Sequence, residues 1–125
     1  MTSNRKQSAR EKALEKCGYK CVICGWDEKK LNGEPLVIGC HIYDFSKAPE
    51  FDNFDNIIAL CPNHHVQFDN FLFYIDTKDR TVVHSDPNNK YNGVKLEIEY
   101  VNKRCLAYRQ GNVTKYWKKK RIRDE

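Results

Sequence analysis

Long apolar runs are missing from this chain of 125 residues. No stretch approaches the roughly 20 consecutive apolar residues of a membrane-spanning helix, so the sequence gives no indication of a membrane protein. The N-terminal stretch MTSNRKQSAREK has no apolar signal core, so we expect an intracellular protein, cytoplasmic, or nuclear in a eukaryotic or viral setting. Long internal repeats are also absent, and the length predicts a single domain over residues 1–125.

Cysteine, in contrast, is well represented, with six residues. Disulfides are rare in a reducing compartment, so this number favours metal ligation over a disulfide framework. Cys21 and Cys24 form a CxxC pair, and Cys61 and His64 form a later CxxH pair. Together they are a ligand set that tetrahedral zinc favours, which predicts a structural zinc site. Alone, the CxxC pair could equally be a redox dithiol or two buried cysteines.

Three cysteines lie outside this proposed ligand set. Cys105 falls on an apolar face of a predicted helix and is expected to be a small core residue. Cys17 is an alternative zinc ligand, although its spacing to Cys21 suits a knuckle less well. Cys40 precedes a histidine, and its meaning depends on the motif described below.

Positive charge is concentrated at the two ends of the chain. Residues 1–20 and residues 115–125 each carry six basic and two acidic side chains, whereas the net charge of the whole is +5, which leaves −3 for the middle. Basic ends of this kind favour a polyanion partner, DNA or RNA, whose phosphates would meet the two ends. The alternative is two solvated tails. The C-terminal candidates for DNA contact are Lys115, Lys118, Lys119, Lys120, Arg121 and Arg123.

Local patterns predict an α+β order of elements. The predicted core spans about residues 19–84, between a basic N-terminal helical region over 1–18 and a helical, basic region over 94–125. Ser8 with Glu11 three positions later forms a capping box, and Pro62 suits a first helical turn. The predicted elements are a helix Ser8–Cys17, strands Leu36–Tyr43 and Ile57–Cys61, a helix over 62–70, a hairpin of Phe71–Ile75 with Thr81–His84, a helix Val94–Tyr108 broken by Gly111, and a basic aromatic tail Tyr116–Arg123.

Two histidines are candidates for chemistry beside the predicted zinc. His41 lies near the end of the first predicted strand, and a histidine there suits a general base near neutral pH. His65 follows His64 directly, so on a helix the two side chains point about 100° apart. His65 can therefore face a second centre while His64 binds the zinc.

The ordered motifs CxxC, HIxxFS and DNxxxLCPNHHxxFD resemble the zinc-stabilised HNH endonucleases of the ββα-metal, or His-Me finger, superfamily. The resemblance covers about Tyr19 to His84. It implies a ββα-metal core with a zinc knuckle, an added hairpin and flanking helices. It further implies divalent-metal-dependent hydrolysis of DNA phosphodiester bonds, with 3′-hydroxyl and 5′-phosphate products.

By matching position, the resemblance also implies a role for each motif residue. His41 would be the general base, and His65 a ligand of the catalytic Mg²⁺ or Mn²⁺. Asn56 would order the loop or bind that same ion. The structural zinc would be held by Cys21, Cys24, Cys61 and His64.

Cys40 departs from the family pattern. Many members have an aspartate at this position, where it binds the catalytic metal, and a thiol is a poor ligand for a hard cation such as magnesium. The sequence therefore defines the general base more closely than it defines the ligands of the catalytic metal. The alternative function is a non-catalytic, zinc-stabilised DNA-binding module derived from such a nuclease. The retained His41, Asn56 and His65 favour the enzyme.

Overall fold

The computed structural model describes residues 8–44 and 49–123. In this part of the chain, α-helices alternate with two small antiparallel hairpins, which confirms the predicted α+β class. Two short 3₁₀ helices, Pro49–Phe51 and Phe54–Asn56, lead into the second strand. The main elements are α1 (Ala9–Lys16), β1 (Ile38–His41), β2 (Ile57–Leu60), α2 (Pro62–Asp69), β3 (Phe73–Ile75), β4 (Val82–His84) and α3 (Lys103–Lys120).

The first helix begins at the predicted capping box. The Ser8 hydroxyl accepts a hydrogen bond from the Glu11 backbone N–H at 3.1 Å, which satisfies one of the unpaired donors of the first turn. The helix ends at Lys16, followed by Gly18 with a φ of +68°. Ala13 is fully buried, and α1 packs against the β1–β2 hairpin. The rest of the predicted basic N-terminal helix, residues 1–7, lies outside the described residues.

The β1–β2 hairpin and α2 form the centre of the fold. β1 pairs antiparallel with β2, with Ile38 opposite Leu60 and His41 opposite Ile57. β1 is shorter than the predicted Leu36–Tyr43. All four residues of β2 are buried, as suits its β-branched, apolar sequence. α2 follows at once and packs against both strands, so strand, loop, strand and helix stand in the predicted order.

The C-terminal region differs from its predicted structure. The helix predicted over Val94–Tyr108 is wrong in its first half, because Val94–Asn102 is not helical. Lys95 forms a bridge with Thr81, and the Val94 carbonyl accepts a hydrogen bond from the Val82 N–H at 2.9 Å. Leu96 and Ile98 are buried in this segment. Pairing beside β4 thus replaces the helix that the apolar spacing had indicated.

α3 extends through the predicted break and through most of the predicted tail. Asn102 caps it, with its side chain accepting from the Arg104 N–H at 2.8 Å. Gly111 lies inside the helix, where glycine costs about 1 kcal/mol relative to alanine. Packing offsets this cost, because Val113 and Trp117 are buried beside Tyr74 of β3. No helix in the described residues is long and apolar enough to cross a membrane.

Candidate functional site

The first half of the metal site is a tight turn after α1. The Gly25 N–H donates to the Cys21 carbonyl at 2.9 Å, and Gly25 has a φ of +79°, a backbone region that glycine enters at little cost. The Cys21 N–H donates to the Trp26 carbonyl at 2.9 Å. These bonds form the knuckle and bring the Cys21 and Cys24 thiols to the same side.

The second half of the site is the start of α2. Cys61 is the N-cap residue, and its Sγ accepts a hydrogen bond from the His64 N–H at 3.4 Å. Pro62 occupies the first turn, where its missing N–H costs nothing. The cap therefore fixes Cys61 and His64 on the side of the helix that faces the knuckle.

The four predicted zinc ligands come together in the fold. Their ligand atoms all lie within 4.8 Å of one another. His64 Nδ1 lies 3.3 Å from Cys61 Sγ and 3.6 Å from Cys21 Sγ, and the Cys24 and Cys61 sulfurs are 3.9 Å apart. Tetrahedral zinc has bonds of about 2.3 Å to sulfur and 2.0–2.1 Å to nitrogen. These bond lengths require about 3.6 Å between nitrogen and sulfur and about 3.8 Å between two sulfurs. The cluster fits a zinc ion.

The surroundings of the cluster favour the thiolate at Cys21 but oppose it at Cys24, whose pKa is raised to about 11 by burial and by the neighbouring thiols. Burial alone would raise the pKa of Cys21, but hydrogen bonds from His64 and from backbone N–H groups lower it to about 6. Cys17 does not join the cluster, since its Sγ lies 3.2 Å from the Tyr100 hydroxyl. Cys105 is fully buried in the core, as predicted.

His41 is the last residue of β1. Its Nε2 lies 3.3 Å from Oδ1 of Asp52, which belongs to the loop between the two strands. The His41 side chain keeps 19% of its surface exposed, and that of Asp52 keeps 51%. A carboxylate at hydrogen-bond distance from an imidazole nitrogen orients the ring. The ring is thus held, and water reaches it.

Asn56 is fully buried at the end of the same loop. Its Oδ1 accepts from the Tyr43 N–H at 2.9 Å. Its Nδ2 donates to the carbonyls of Tyr43 and Phe51, at 2.8 and 2.9 Å. One amide therefore ties the first part of the β1–β2 loop, at Tyr43, and its middle, at Phe51, to the start of β2.

His65 lies on α2, one residue after the zinc-site histidine. The His64 side chain is buried, whereas that of His65 is 32% exposed and lies 3.2 Å from Asp69 Oδ2, one turn later on the helix. α2 packs against β1, the strand that ends in His41. The helix thus presents a residue of the Cys₃His cluster on one side and a histidine–carboxylate pair on another.

A family model described as HNH endonuclease matches residues 21–76, the segment that contains the zinc cluster and all three candidate catalytic residues. The sequence of this segment is therefore similar to that of HNH endonucleases. Below, residues 21–76 are called the HNH segment.

The fold also resembles a solved structure titled "Modification dependent TagI restriction endonuclease". The TM-score is 0.69 at 23% sequence identity, and the match covers 89% of this chain. The chain spans 39% of that protein's length, so the likeness concerns the fold of one part of it. The comparison with curated proteins found no match.

Cys40 is the residue of the HNH segment that departs from the family pattern. Its thiol is buried and donates weakly to the Ile38 carbonyl at 3.6 Å. Burial and then the negative charge of Asp69 raise its pKa to about 12. Burial therefore favours the neutral thiol, and a thiol is in any case a poor ligand for a hard metal ion.

Sequence reasoning assigned no role to two acidic residues of the HNH segment, Asp52 and Asp69. Asp52 pairs with His41 across a loop, and nothing in the local pattern marks that contact. Asp69 had a readable signal, because it stands four residues after His65 on the predicted helix. Its charge also acts on the Cys40 thiol, whose pKa it helps to raise. Asp69 thus lies close to the residue that precedes His41.

A third missed residue, Arg109 of α3, packs beside this end of α2. Its guanidinium lies 4.0 Å from the centre of the Phe68 ring and 4.7 Å from that of Phe71, and it donates to the Phe68 carbonyl. Burial lowers its pKa to about 10, while the Asp69 charge opposes this shift. Arg109 therefore remains a cation at neutral pH beside the C-terminal end of α2.

The C-terminal basic residues lie mainly on the second half of α3. The side chain of Arg123 is held in the fold, because its guanidinium donates to the His84 carbonyl at 2.9 Å. The other five are exposed and give this end of the helix a cationic surface: Lys115, Lys118, Lys119, Lys120 and Arg121.

Proposed function

We propose that this protein is a divalent-metal-dependent endonuclease that hydrolyses DNA phosphodiester bonds with His41 as general base. The carrying observation is the exposed His41–Asp52 pair at the end of β1, inside an HNH segment with a complete Cys₃His cluster. We further propose that residues 1–125 act as one unit, with α1 and α3 flanking the HNH core.

His41 would remove the proton from the water molecule that attacks the phosphorus in line. Asp52 would stabilise the imidazolium that forms, since its carboxylate already lies 3.3 Å from Nε2. Asn56 would act through the loop, because its amide is buried in three hydrogen bonds to backbone groups. Its role is then to hold the loop that carries Asp52.

His65 and Asp69 are the residues that we assign to the catalytic ion. An imidazole nitrogen and a carboxylate oxygen 3.2 Å apart suit Mn²⁺ or, with water completing the shell, Mg²⁺. Such an ion, when bound, stabilises charge that develops on the phosphate and on the leaving oxygen. Asp69 would replace the carboxylate that the family often carries at the position of Cys40.

The Cys₃His cluster would hold a structural zinc that joins the knuckle to α2. All four positions are filled by protein atoms, which is typical of structural rather than catalytic zinc. The zinc would thereby fix the direction in which α2 presents His65.

Double-stranded DNA is the substrate that we propose. The exposed cations of α3 suit phosphate contacts, which add affinity and salt dependence but do not read base sequence. The structural neighbour is titled a restriction endonuclease, which supports the same substrate class.

A cleavage assay tests the proposal. Supercoiled plasmid is incubated with the purified protein with Mg²⁺, with Mn²⁺ and with a chelator, and nicked and linear products are measured. His41→Ala should lose at least about two orders of magnitude in rate, the usual scale for a general base. Zinc content should be unchanged, because His41 is outside the Cys₃His cluster. DNA affinity should also be nearly unchanged, because a single imidazole contributes little to phosphate binding.

The second candidate is a DNA-binding module without activity, and the observation that favours it is the buried thiol of Cys40 where the family often carries a metal-binding carboxylate. Metal-independent DNA binding with no cleavage under any of these conditions would establish the module. Metal-dependent cleavage that survives in His41→Ala would instead show that another group is the base.

A further inference from the structure

The side chain of Arg10 lies across Gly39 of β1. Its Nε donates to the Gly39 carbonyl at 3.3 Å. A Cβ atom added to Gly39 would stand 2.7 Å from Cγ of Arg10 and 3.1 Å from its Nε. The absence of a side chain at Gly39 is therefore what lets the arginine lie on the strand.

This contact puts Arg10 on the face of β1 that carries His41. Side chains alternate along a strand, so positions 39 and 41 point to the same side and lie roughly 7 Å apart. Arg10 is exposed, and within the described residues no carboxylate forms an ion pair with it. An exposed cation without an acidic partner is thus placed beside the candidate base.

The surroundings of Cys40 agree with this placement. Burial and the Asp69 charge raise the pKa of the Cys40 thiol, and the positive charge of Arg10 opposes them. The guanidinium therefore acts on the residue between Gly39 and His41. With Nε bound to the strand, the two terminal nitrogens can form the paired hydrogen bonds that guanidinium makes with phosphate.

We infer that Arg10 binds a phosphate of the nucleic-acid substrate on the His41 face of β1, and that Gly39 is required because its missing side chain leaves room for Arg10. The inference rests on the proposed nuclease function. It makes Arg10 a residue that positions the strand to be cut, whereas the cations of α3 would bind phosphates elsewhere on the duplex.

The alternative is a purely structural role, in which Arg10 only holds α1 against the β1–β2 hairpin. The two roles differ in what they change. A fastening role predicts that removing Arg10 lowers the melting temperature and leaves the salt dependence of DNA binding intact. A phosphate contact predicts a loss of cleavage rate and a smaller salt slope, with zinc content and melting temperature preserved.

The first experiment compares single-turnover cleavage by Arg10→Ala, Gly39→Ala and the double variant. Loss of a charge-assisted contact should lower the rate roughly ten- to hundredfold. Gly39→Ala should give a similar loss because the new methyl group displaces the Arg10 side chain. The double variant should be no slower than either single variant, since both remove one contact. Arg10→Lys should recover only part of the rate, because lysine keeps the charge and lacks the planar fork.

Lys78→Ala is the matched control, because it removes one exposed positive charge from the β3–β4 turn. Its rate should stay within twofold of the parent. An Arg10→Ala rate within twofold of the parent, or single losses that multiply in the double variant, would overturn the inference. A loss in Lys78→Ala equal to that in Arg10→Ala would reduce the effect to net charge and overturn it as well.

The second experiment separates this inference from the proposed function. DNA affinity is measured against salt concentration in the His41→Ala background, with and without Arg10→Ala. One lost phosphate contact should lower the slope of log affinity against log salt by about 0.9. If the parent cleaves nothing, the nuclease proposal fails, and this slope still decides the phosphate contact. An unchanged slope refutes the contact.

Discussion

Adjacent histidines on α2 should respond to substitution in opposite ways. His64→Ala removes one of four ligands from a cluster whose atoms lie within 4.8 Å of one another, and the side chain it removes is buried. Structural zinc contributes about 10–16 kcal/mol to the folding of small domains, whereas a domain's net stability is only about 5–15 kcal/mol. Losing a large part of the zinc contribution is thus enough to unfold the protein. We therefore expect His64→Ala to be unfolded and free of zinc.

His65→Ala should barely change stability. It removes a surface pair with Asp69 at 3.2 Å, in which the side chains are 32% and 57% exposed. Exposed pairs at this helical spacing contribute about 0.3–0.5 kcal/mol. At roughly 4 °C per kcal/mol for a chain of this size, the melting temperature should fall by about 2 °C. The zinc should remain, and cleavage should be lost.

The assay is elemental analysis of zinc after dialysis without chelator, together with thermal melts followed by circular dichroism. The two variants differ from each other by one position along α2, so each is the control for the other. If His64→Ala kept stoichiometric zinc and a parental melting temperature while His65→Ala lost its zinc, the two metal assignments would have to be exchanged.

Other predictions concern the catalytic ion, the basic surface and acid sensitivity. Asp69→Asn should raise the Mn²⁺ concentration for half-maximal cleavage about tenfold, as metal titrations would measure; an unchanged titration would remove Asp69 from the metal site. Changing Lys118–Lys120 to glutamine should lower the salt slope of DNA binding by up to about 2.7, at about 0.9 per phosphate contact; equal slopes would make these lysines bystanders. Burial lowers the pKa of His84, so the folded state resists its protonation. Stability should therefore fall as the pH drops below the ordinary histidine value of about 6.5. Urea midpoints with excess zinc at pH 7.5 and 5.5 should differ less in His84→Gln, and an identical drop would contradict this assignment.

The zinc cluster and the elements around it could be predicted from sequence because their signals are local. The CxxC turn depends on backbone hydrogen bonds within a few residues, and the helix start depends on Cys61 and Pro62. The divergence of His64 and His65 follows from helix periodicity alone. The grouping of the four Cys₃His side chains, the strand–loop–strand–helix order and the capping box of α1 therefore follow from local sequence.

Tertiary packing decided the C-terminal region. The apolar spacing from Val94 to Tyr108 was compatible with a helix, but pairing beside β4 holds the first part of it in a non-helical form. Gly111 reads locally as a helix breaker, yet burial of Val113 and Trp117 offsets its cost. Propensities are small compared with burial, so such boundaries are decided by what the segment packs against.

The remaining site contacts join residues far apart in the chain. Asp52 meets His41 across a loop, and Arg10 of α1 crosses Gly39 of β1. No local periodicity relates such pairs. A glycine in a strand does not by itself indicate which side chain will pack on it. The sequence by itself determined the members of the Cys₃His cluster and the candidate base; the fold alone decided which charges surround that base, because only the packing of α1 and the loop against β1 brings them there.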